Sequence, residues 1–515
     1  MRDRETGPPG TRSSSESASP AARRNEAGWA PRLAQLARLE HLDAQLQQEP
    51  GSEAALTASI ERAVLLAALD RREDAKLAFI AILQRHPTHF SALNEFATLL
   101  AEMGAIDAAC RVYAEAIAHH PDNPIPHVNL ANLLLRAGRY QEARRHYETV
   151  LARDPDHAPA HQGLGAVLSD LGEREAARAH FRKGFRGRAI STLPYRGNAA
   201  PIRLLQFVSS GGGNIPTALF LDDTRFQTTM VVADHLAASE TLPPHDIIFN
   251  AIGDADLCEA ALDAAGRITA AAEAPVINDP FAVMKTGRLA NSEQLRAVPG
   301  VRTARTVIVD RGLLAGAGGA DLLAGYGFSF PLLLRSPGYH TGRNFVRVAA
   351  SEDLAAAATG LPGEELFAIE YLDARGPDGK ARKYRVMMIG GQLYPLHLAI
   401  SQNWKVHYFT SDMADEDHHR HEEARFLRDM PSVLGDKAMH AFAAIKDALA
   451  LDYAGVDFGL DGDGNLLLFE ANATMVIAKP GDEPHWAYRR TAVERVLAAV
   501  TGMIMAKAGE KAASA

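Results

Sequence analysis

Asp452–Met475 reads DYAGVDFGLDGDGNLLLFEANATM. Tyr453–Leu460 and Asn465–Glu470 are strand-like runs of aliphatic and aromatic residues, and Asp461-Gly462-Asp463-Gly464 between them has the composition of a hairpin loop. A loop centred between Gly462 and Asp463 puts Asp457 opposite Leu468. Side chains alternate along a strand, so Glu470 shares the face of Leu468 and Asp457, and Asn472 continues it. Two carboxylates and an amide oxygen then converge. Hard oxygen donors of this kind suit Mg²⁺ shared with nucleotide phosphates, and a cation relieves the repulsion between the two acids.

Working upstream, Pro331–Arg335 (PLLLR) reads as a strand ending in a cation, and Ser336–Asn344 (SPGYHTGRN) as a glycine-containing loop leading into a strand at Phe345–Val348. A cation beside a flexible loop is a phosphate grip with a lid. Leu366–Leu372 (LFAIEYL) is a strand carrying an acid between apolar residues, able to face a purine edge. Asp378-Gly379 turns the chain into Lys383–Met388, a strand with alternating cations, and Gly390-Gly391 turns it into Gln392–His397. Nearer the middle, Leu204–Ser209, Asp246–Asn250 and Val276–Asn278 are short apolar runs ending in small or polar residues. They predict a parallel sheet with ligand-facing carboxyl ends, the first followed by Ser210–Asn214 (SGGGN). That turn lacks the spacing of a dinucleotide fingerprint or a P-loop.

The first third is periodic. Gly104, Gly138 and Gly172 are 34 apart, as are Pro87, Pro121 and Pro155. The same step links Ala75, Ala109, Ala143 and Ala177; Phe79, Tyr113, Tyr147 and Phe181; and Leu66, Leu100, Leu134 and Leu168. This resembles a tetratricopeptide repeat (TPR) array of four repeats over about residues 56–191, with Asp70 in the turn glycine's place in the first. Small residues (Ala63, Ala97, Ala131, Gly165) let paired helices approach, and stacking is obligatory because one repeat cannot bury its apolar face. The resemblance implies a concave groove, faced by Asn94, Thr98, Val128, Asn132, Gln162 and Ser169, that takes a peptide or protein; the alternative is a stacking module serving domain packing or a homodimer. Leu33–Gln48 reads as one amphipathic helix before the repeats, and residues 186–200 as a basic, aperiodic linker after them.

Composition bounds the function. The 515 residues predict about three domains. Lys+Arg 54 against Asp+Glu 63 gives a net charge of −9, which argues against nucleic acid as the main partner. Cys110 and Cys258 are too few for a disulfide framework or a thiolate zinc site, which fits a cytoplasmic setting. No run is long enough to span a membrane, and the Ser-, Pro- and Arg-rich residues 1–30 read as disordered. His418-His419-Arg420-His421 is more simply a solvated loop ahead of a helix at Glu422–Leu427 than a metal patch. Trp404–Tyr408 either lines a substrate mouth or packs.

Taken in order, PLLLRSPGYHTGRN, FAIEYLD, DGKARKYRV and DFGLDGDGNLLLFEAN resemble the ATP-grasp superfamily, whose better-known members include D-alanine–D-alanine ligase and glutathione synthetase. The resemblance covers most of residues 201–505 and implies a multidomain chain: an all-α TPR solenoid (31–191), a linker (192–200), a pre-ATP-grasp α/β domain (201–305) and an α+β ATP-grasp fold (306–508). Residue by residue it implies that Arg288 and Arg335 stand where nucleotide-binding lysines are usual, with Gly338 and Gly342 in the phosphate loop. It implies that Glu370 and Leu372 hold adenine, that Asp373 reaches the ribose, and that Asp457, Glu470 and Asn472 hold two Mg²⁺ ions with ATP. Arg385 and Lys405 resemble cations that contact phosphate or an acyl phosphate. Both lysine positions being arginine departs from the pattern while keeping the charge and adding a bidentate fork. The implied activity is ATP-dependent ligation of a carboxylate to an amine, ADP-forming, through an acyl-phosphate intermediate. Its rivals are a phosphotransferase with the same nucleotide site, and an interaction scaffold whose nucleotide domain does not catalyse.

Overall fold

The computed structural model describes residues 34–46, 52–339, 342–408 and 411–514. The N-terminal segment expected to be disordered lies outside the described residues, as do His340 and Thr341 of the glycine loop. The chain divides into two compact units: the residues up to Gly138 with Arg196–Ala200, and Arg139–Tyr195 with Pro201–Ala515.

The first unit is helical. After a helix over residues 34–46 come Glu53–Ala68, Arg72–Arg85, Phe90–Glu102, Ile106–His119 and Pro124–Arg136. The 34-residue period has a direct backbone cause. At Asp70, Gly104 and Gly138 the chain turns with φ of 63°, 79° and 73°, the left-handed conformation that stops a helix. Asp70 N–H donates to the Ala67 carbonyl and Arg71 N–H to that of Leu66, and the same pair of bonds recurs at Gly104 and Ala105. The helices also start alike: the side chain of His89 accepts from Ala92 N and that of Asn123 from Ile125 N. Ala63, Ala97 and Ala131 are fully buried, as close helix pairing requires. Phe79 reaches the first helix of the next repeat, 5.9 Å ring to ring from Phe96.

The second unit opens with three more helices, Tyr140–Arg153, Ala158–Asp170 and Arg174–Phe185, which repeat these devices: Gly172 turns at φ 83° and His157 caps from its side chain. A Cβ on Gly165 would sit 2.7 Å from the Phe181 ring, so only glycine fits there. The strands that follow are β1 (Ile190–Thr192), β2 (Ile202–Val208), β3 (Phe226–Val232), β4 (Ile247–Asn250), β5 (Val276–Ile277), β6 (Val301–Thr303), β7 (Thr306–Asp310), β8 (Leu332–Arg335), β9 (Phe345–Val348), β10 (Glu365–Glu370), β11 (Ala381–Ile389), β12 (Gln392–Ser401), β13 (Tyr453–Leu460) and β14 (Leu466–Asn472).

They form three sheets. The first has the order β1-β3-β2-β4-β5, parallel from β3 to β5 as expected. Its edge corrects the linker reading: Ile190–Thr192 pairs antiparallel with β3. The second, β7-β10-β8-β9, is antiparallel throughout. The third, β12-β11-β13-β14-β6, is antiparallel except for β6, which runs parallel to β14. One core joins the first and third sheets, where Phe207, Phe249, Val456 and Phe458 are fully buried. No helix among the described residues is long and apolar enough to cross a membrane.

The glycine loop meets the three helices that open this unit. Arg343 Nη1 donates to Tyr140 Oη at 3.1 Å, and its Nη2 lies 3.5 Å from Asp170 Oδ1. Arg174 Nη2 donates to the Pro337 carbonyl at 3.3 Å.

Candidate nucleotide site

The hairpin β13–β14 brings its acids closer than the sequence reading placed them. Asp457 pairs with Glu470, not Leu468, for two reasons: the hairpin sets Leu460 opposite Leu466, one residue beyond the expected Asn465, and the register slips by one more at a bulge between Asp457 and Phe458. Directly opposed residues share a face, so the two carboxylates do converge, and Gly455 stands opposite Asn472.

The carboxylates nevertheless live in different surroundings. Asp457 is 3% exposed. Arg385, its cross-strand neighbour on β11, grips it with Nε and Nη2 at 2.6 and 2.8 Å, and Lys383 Nζ lies 3.1 Å away. Burial works against the carboxylate's charge, but Arg385 and Lys383 outweigh it and hold the group well below the usual carboxylate range. Glu470 lines an open cleft. Its Oε1 accepts from Asn472 Nδ2 at 2.9 Å and lies 3.6 Å from Arg288 Nη2. Asn472 Oδ1 accepts from the backbone N and the hydroxyl of Thr474, at 3.0 and 2.8 Å.

The cleft holds roughly 620 Å³ of empty space, counting the part open to solvent. Its walls come from the loop Gly253–Asp256, the helix Arg288–Arg296, the β6–β7 junction, Ile369 of β10 and the end of β14. Asp256 accepts from Arg288 N, and burial pushes its carboxyl up. Arg335 closes the set electrostatically: burial, then the nearby charge of Arg288, pushes its guanidinium down to about 10, while Glu470, Asp254 and Asp256 act the other way. It remains a cation at neutral pH.

The other expected residues divide into those near the cleft and those tied elsewhere. Glu370 turns toward the β6–β7 junction, where its carboxylate accepts from Arg302 Nη2 at 2.8 Å and Arg305 N at 3.2 Å. Leu372 is buried with Ala374 and Leu467. Asp373 is exposed and gripped by Arg375, which holds its carboxyl below the usual range. Lys405 Nζ donates to the carbonyls of Gly342 and Phe345 at 3.1 and 3.4 Å, so it binds the glycine loop. A Cβ on Gly338 would meet Arg174 Nη2 at 2.2 Å. Trp404 packs edge-on against Phe345 with ring centres 5.3 Å apart, the bland one of its two readings.

Two expectations are corrected. The histidine run lies inside the helix Asp417–Arg428, not in a loop before it, and His419 is buried against Lys380 Nζ at 3.1 Å. Among the described residues no group of three or more His, Cys, Asp or Glu side chains is placed to hold a metal. In the repeats, three of the six residues assigned to the groove serve internal bonds. Asn94 accepts from Asn129 at 2.9 Å, Thr98 shares a hydrogen bond with the Tyr113 hydroxyl at 2.8 Å, and Gln162 donates to the Gly184 carbonyl at 2.9 Å. Cys258 is buried, which pushes its thiol up to about 12 and makes it a poor nucleophile.

Sequence reasoning missed Asp256, Asn291 and Thr303 on the cleft wall, and His397, whose buried imidazole feels the charges of Arg385 and Asp457. Asn291 was within reach, since it follows Arg288 by one helical turn.

Comparison with known proteins bears on the repeats. The tetratricopeptide repeat model matches residues 122–189. A tetratricopeptide repeat protein from Parabacteroides merdae is 15% identical over 32% of this chain and 63% of its own, with a TM-score of 0.28. This chain therefore spans less than two thirds of that protein's length. MamA from Desulfovibrio magneticus RS-1 is 19% identical over 32% of this chain and 92% of its own, with a TM-score of 0.27. No curated protein sequence matches the chain.

Proposed function

We propose that this chain is an ATP-dependent carboxylate–amine ligase of the ATP-grasp type, whose tetratricopeptide repeats recruit a peptide or protein partner. One observation carries the reading: Glu470 and Asn472 line a cleft together with Arg288, Asp457 stands opposite Glu470 on the adjacent strand behind them, and Arg335 feels the charge of Arg288 and Glu470. That is an acid-and-cation layout suited to a metal-bound polyphosphate.

Under this reading Arg288 and Arg335 take phosphate oxygens, with Gly338 and Gly342 in the loop above them. Leu372 and Glu370 flank the base, and Asp373 the sugar. Glu470, Asn472 and Asp457 are the residues that would hold magnesium, and the ion would supply positive charge against the phosphate oxygens. Asp457 must first release a cation, and Lys383, with its single contact, is the easier to give up. The substrate carboxylate attacks the γ-phosphorus, ADP leaves, and an amine then displaces inorganic phosphate from the acyl phosphate. Arg385 and Lys405 counter the charge that spreads during transfer.

A non-catalytic scaffold is the second reading, and it too has an observation behind it: Arg385 and Lys383 both pair with Asp457, so its carboxylate is satisfied by the chain's own cations. Titration calorimetry with Mg-ATP separates the two. Binding that requires Mg²⁺, followed by ADP and phosphate release with a particular amino acid or short peptide and a product heavier by that amine, upholds the ligase. Absence of nucleotide binding at millimolar concentration leaves the scaffold.

A further inference from the structure

A second cavity adjoins the nucleotide cleft and has no part in the roles assigned above. It holds roughly 560 Å³ of empty space, counting the part open to solvent, within the range of roughly 300–1,000 Å³ that small-ligand sites occupy. Ala255 and Asp256 line both spaces, so the two are neighbours. One wall belongs to β7 and β10, where Ile308 and Phe367 are register partners and so share a face. The other comes from Met284 and Leu289, at the end of the helix Pro280–Met284 and the start of the helix Arg288–Arg296. Leu289 and Ile308 stay 39% and 40% exposed, which leaves apolar surface for a ligand to cover.

The charged groups on this lining are of one sign. They are Asp256 and Glu259, and no lysine, arginine or histidine lines the cavity with them. Asp256 is pinned in place: its two oxygens accept from Arg288 N at 3.1 and 3.2 Å, and a Cβ on Gly287 would come within 2.8 Å of Oδ1. A single N–H leaves most of the acceptor capacity of a carboxylate open. The Arg288 guanidinium lies in the nucleotide cleft, 3.6 Å from Glu470. Glu259, in the first turn of the helix Glu259–Thr269, has no hydrogen-bond or ion-pair partner among the described residues. An acidic ligand would be repelled here, and a neutral apolar one would leave the carboxylates unanswered. A primary amine on an apolar body meets both features: its ammonium has three protons for carboxylate oxygens, and its body covers the exposed leucine and isoleucine.

We infer that this cavity binds a primary amine carried on a branched aliphatic or aromatic body. Its use as the acceptor in amide formation rests on the ligase reading; the binding itself does not. The test is titration calorimetry of the full chain near neutral pH with three probes, alongside Mg-ATP: L-leucinamide, N-acetyl-L-leucinamide, which has no ammonium, and glycinamide, which has no apolar body. The wild type should bind leucinamide at least about tenfold more tightly than either analogue. Glu259→Gln should weaken leucinamide severalfold and leave the acetyl form unchanged. Leu289→Ser should weaken leucinamide and leave glycinamide unchanged. Both side chains are exposed, so both variants should melt with the wild type. Neither lines the nucleotide cleft, so both should match the wild type toward Mg-ATP. Leucinamide bound no better than its analogues overturns the inference, and Mg-ATP binding in the same series leaves the ligase reading standing. Selective leucinamide binding that both variants spare puts the amine elsewhere and overturns it too. Selective, variant-sensitive binding without any binding of Mg-ATP upholds the amine site and removes its role in ligation.

Discussion

Phe181 in the last helical repeat and Asp457 in the hairpin are both buried, yet they hold their surroundings by opposite means. Phe181 fills the space that Gly165 leaves empty, a fit of shape between residues 16 apart in the chain. Asp457 is held by charge, and its grip comes from β11, 72 residues away. Shape complementarity of the first kind recurs at the 34-residue step and tolerates exchange of one large ring for another, as Phe79, Tyr113, Tyr147 and Phe181 show. Charge complementarity of the second kind is built once, and removing one partner strands the other in a low dielectric.

Phe181→Ala should therefore destabilise by about 3–5 kcal/mol through the cavity it leaves, read by urea unfolding followed at a helical band. A loss under about 1 kcal/mol would mean that the repeat collapses around the gap and is not shape-locked. Asp457→Asn should cost a similar amount, about 3–5 kcal/mol, because Arg385 and Lys383 are left without a counter-ion. Its partner across the ladder is the sharper probe. Glu470→Gln should change stability by only about 0.5 kcal/mol and weaken Mg-ATP binding at least about tenfold, measured by calorimetry. Equal destabilisation by both hairpin substitutions would erase the distinction between the buried and the cleft-facing acid.

Smaller effects refine the same contrast. Asp70→Gly should raise stability by about 0.5–1 kcal/mol, since glycine takes a left-handed φ without penalty. In the α/β region the sign runs through protons. Burial, with Arg385 nearby, holds the His397 imidazole well below its usual range. Its contribution is intact above about pH 6.5 and is lost as pH falls, because the unfolded chain takes up a proton that the folded ring refuses. His397→Phe, which keeps a ring beside Tyr408, should flatten the stability loss between about pH 6.5 and 5 in acid-titrated melts. An unchanged slope would place that loss on other groups.

What could be read beforehand follows the same division. Local devices were legible: turns at a fixed step, strands ending in Arg335 and Glu370, and a hairpin whose first strand runs Tyr453–Leu460. The bulge at Asp457/Phe458 was not, since no local residue demands it and it arises from fitting two strands of one sheet. Nor was the partner of Asp457. Lys383 and Arg385 were visible as alternating cations, but only pairing of β11 with β13 shows that they spend their charge on an acid. Ile190–Thr192 looked like linker because three residues carry no periodicity, and β3 recruits them as an edge. The wall of Asp256, Asn291 and Thr303 is assembled from a loop, a helix and a strand, and no spacing along the chain announces it.

The bonds from Arg343 to Tyr140 and from Arg174 to Pro337 bear on how such a fusion can be dismantled. A cassette exchange that severed the chain at residues 192–200 would carry away Tyr140, Asp170 and Arg174 and strip the glycine loop of its braces. A scission just past Gly138 would leave those anchors in place, so donor and recipient proteins should be spliced there, with the last three repeat helices inherited alongside the α/β half.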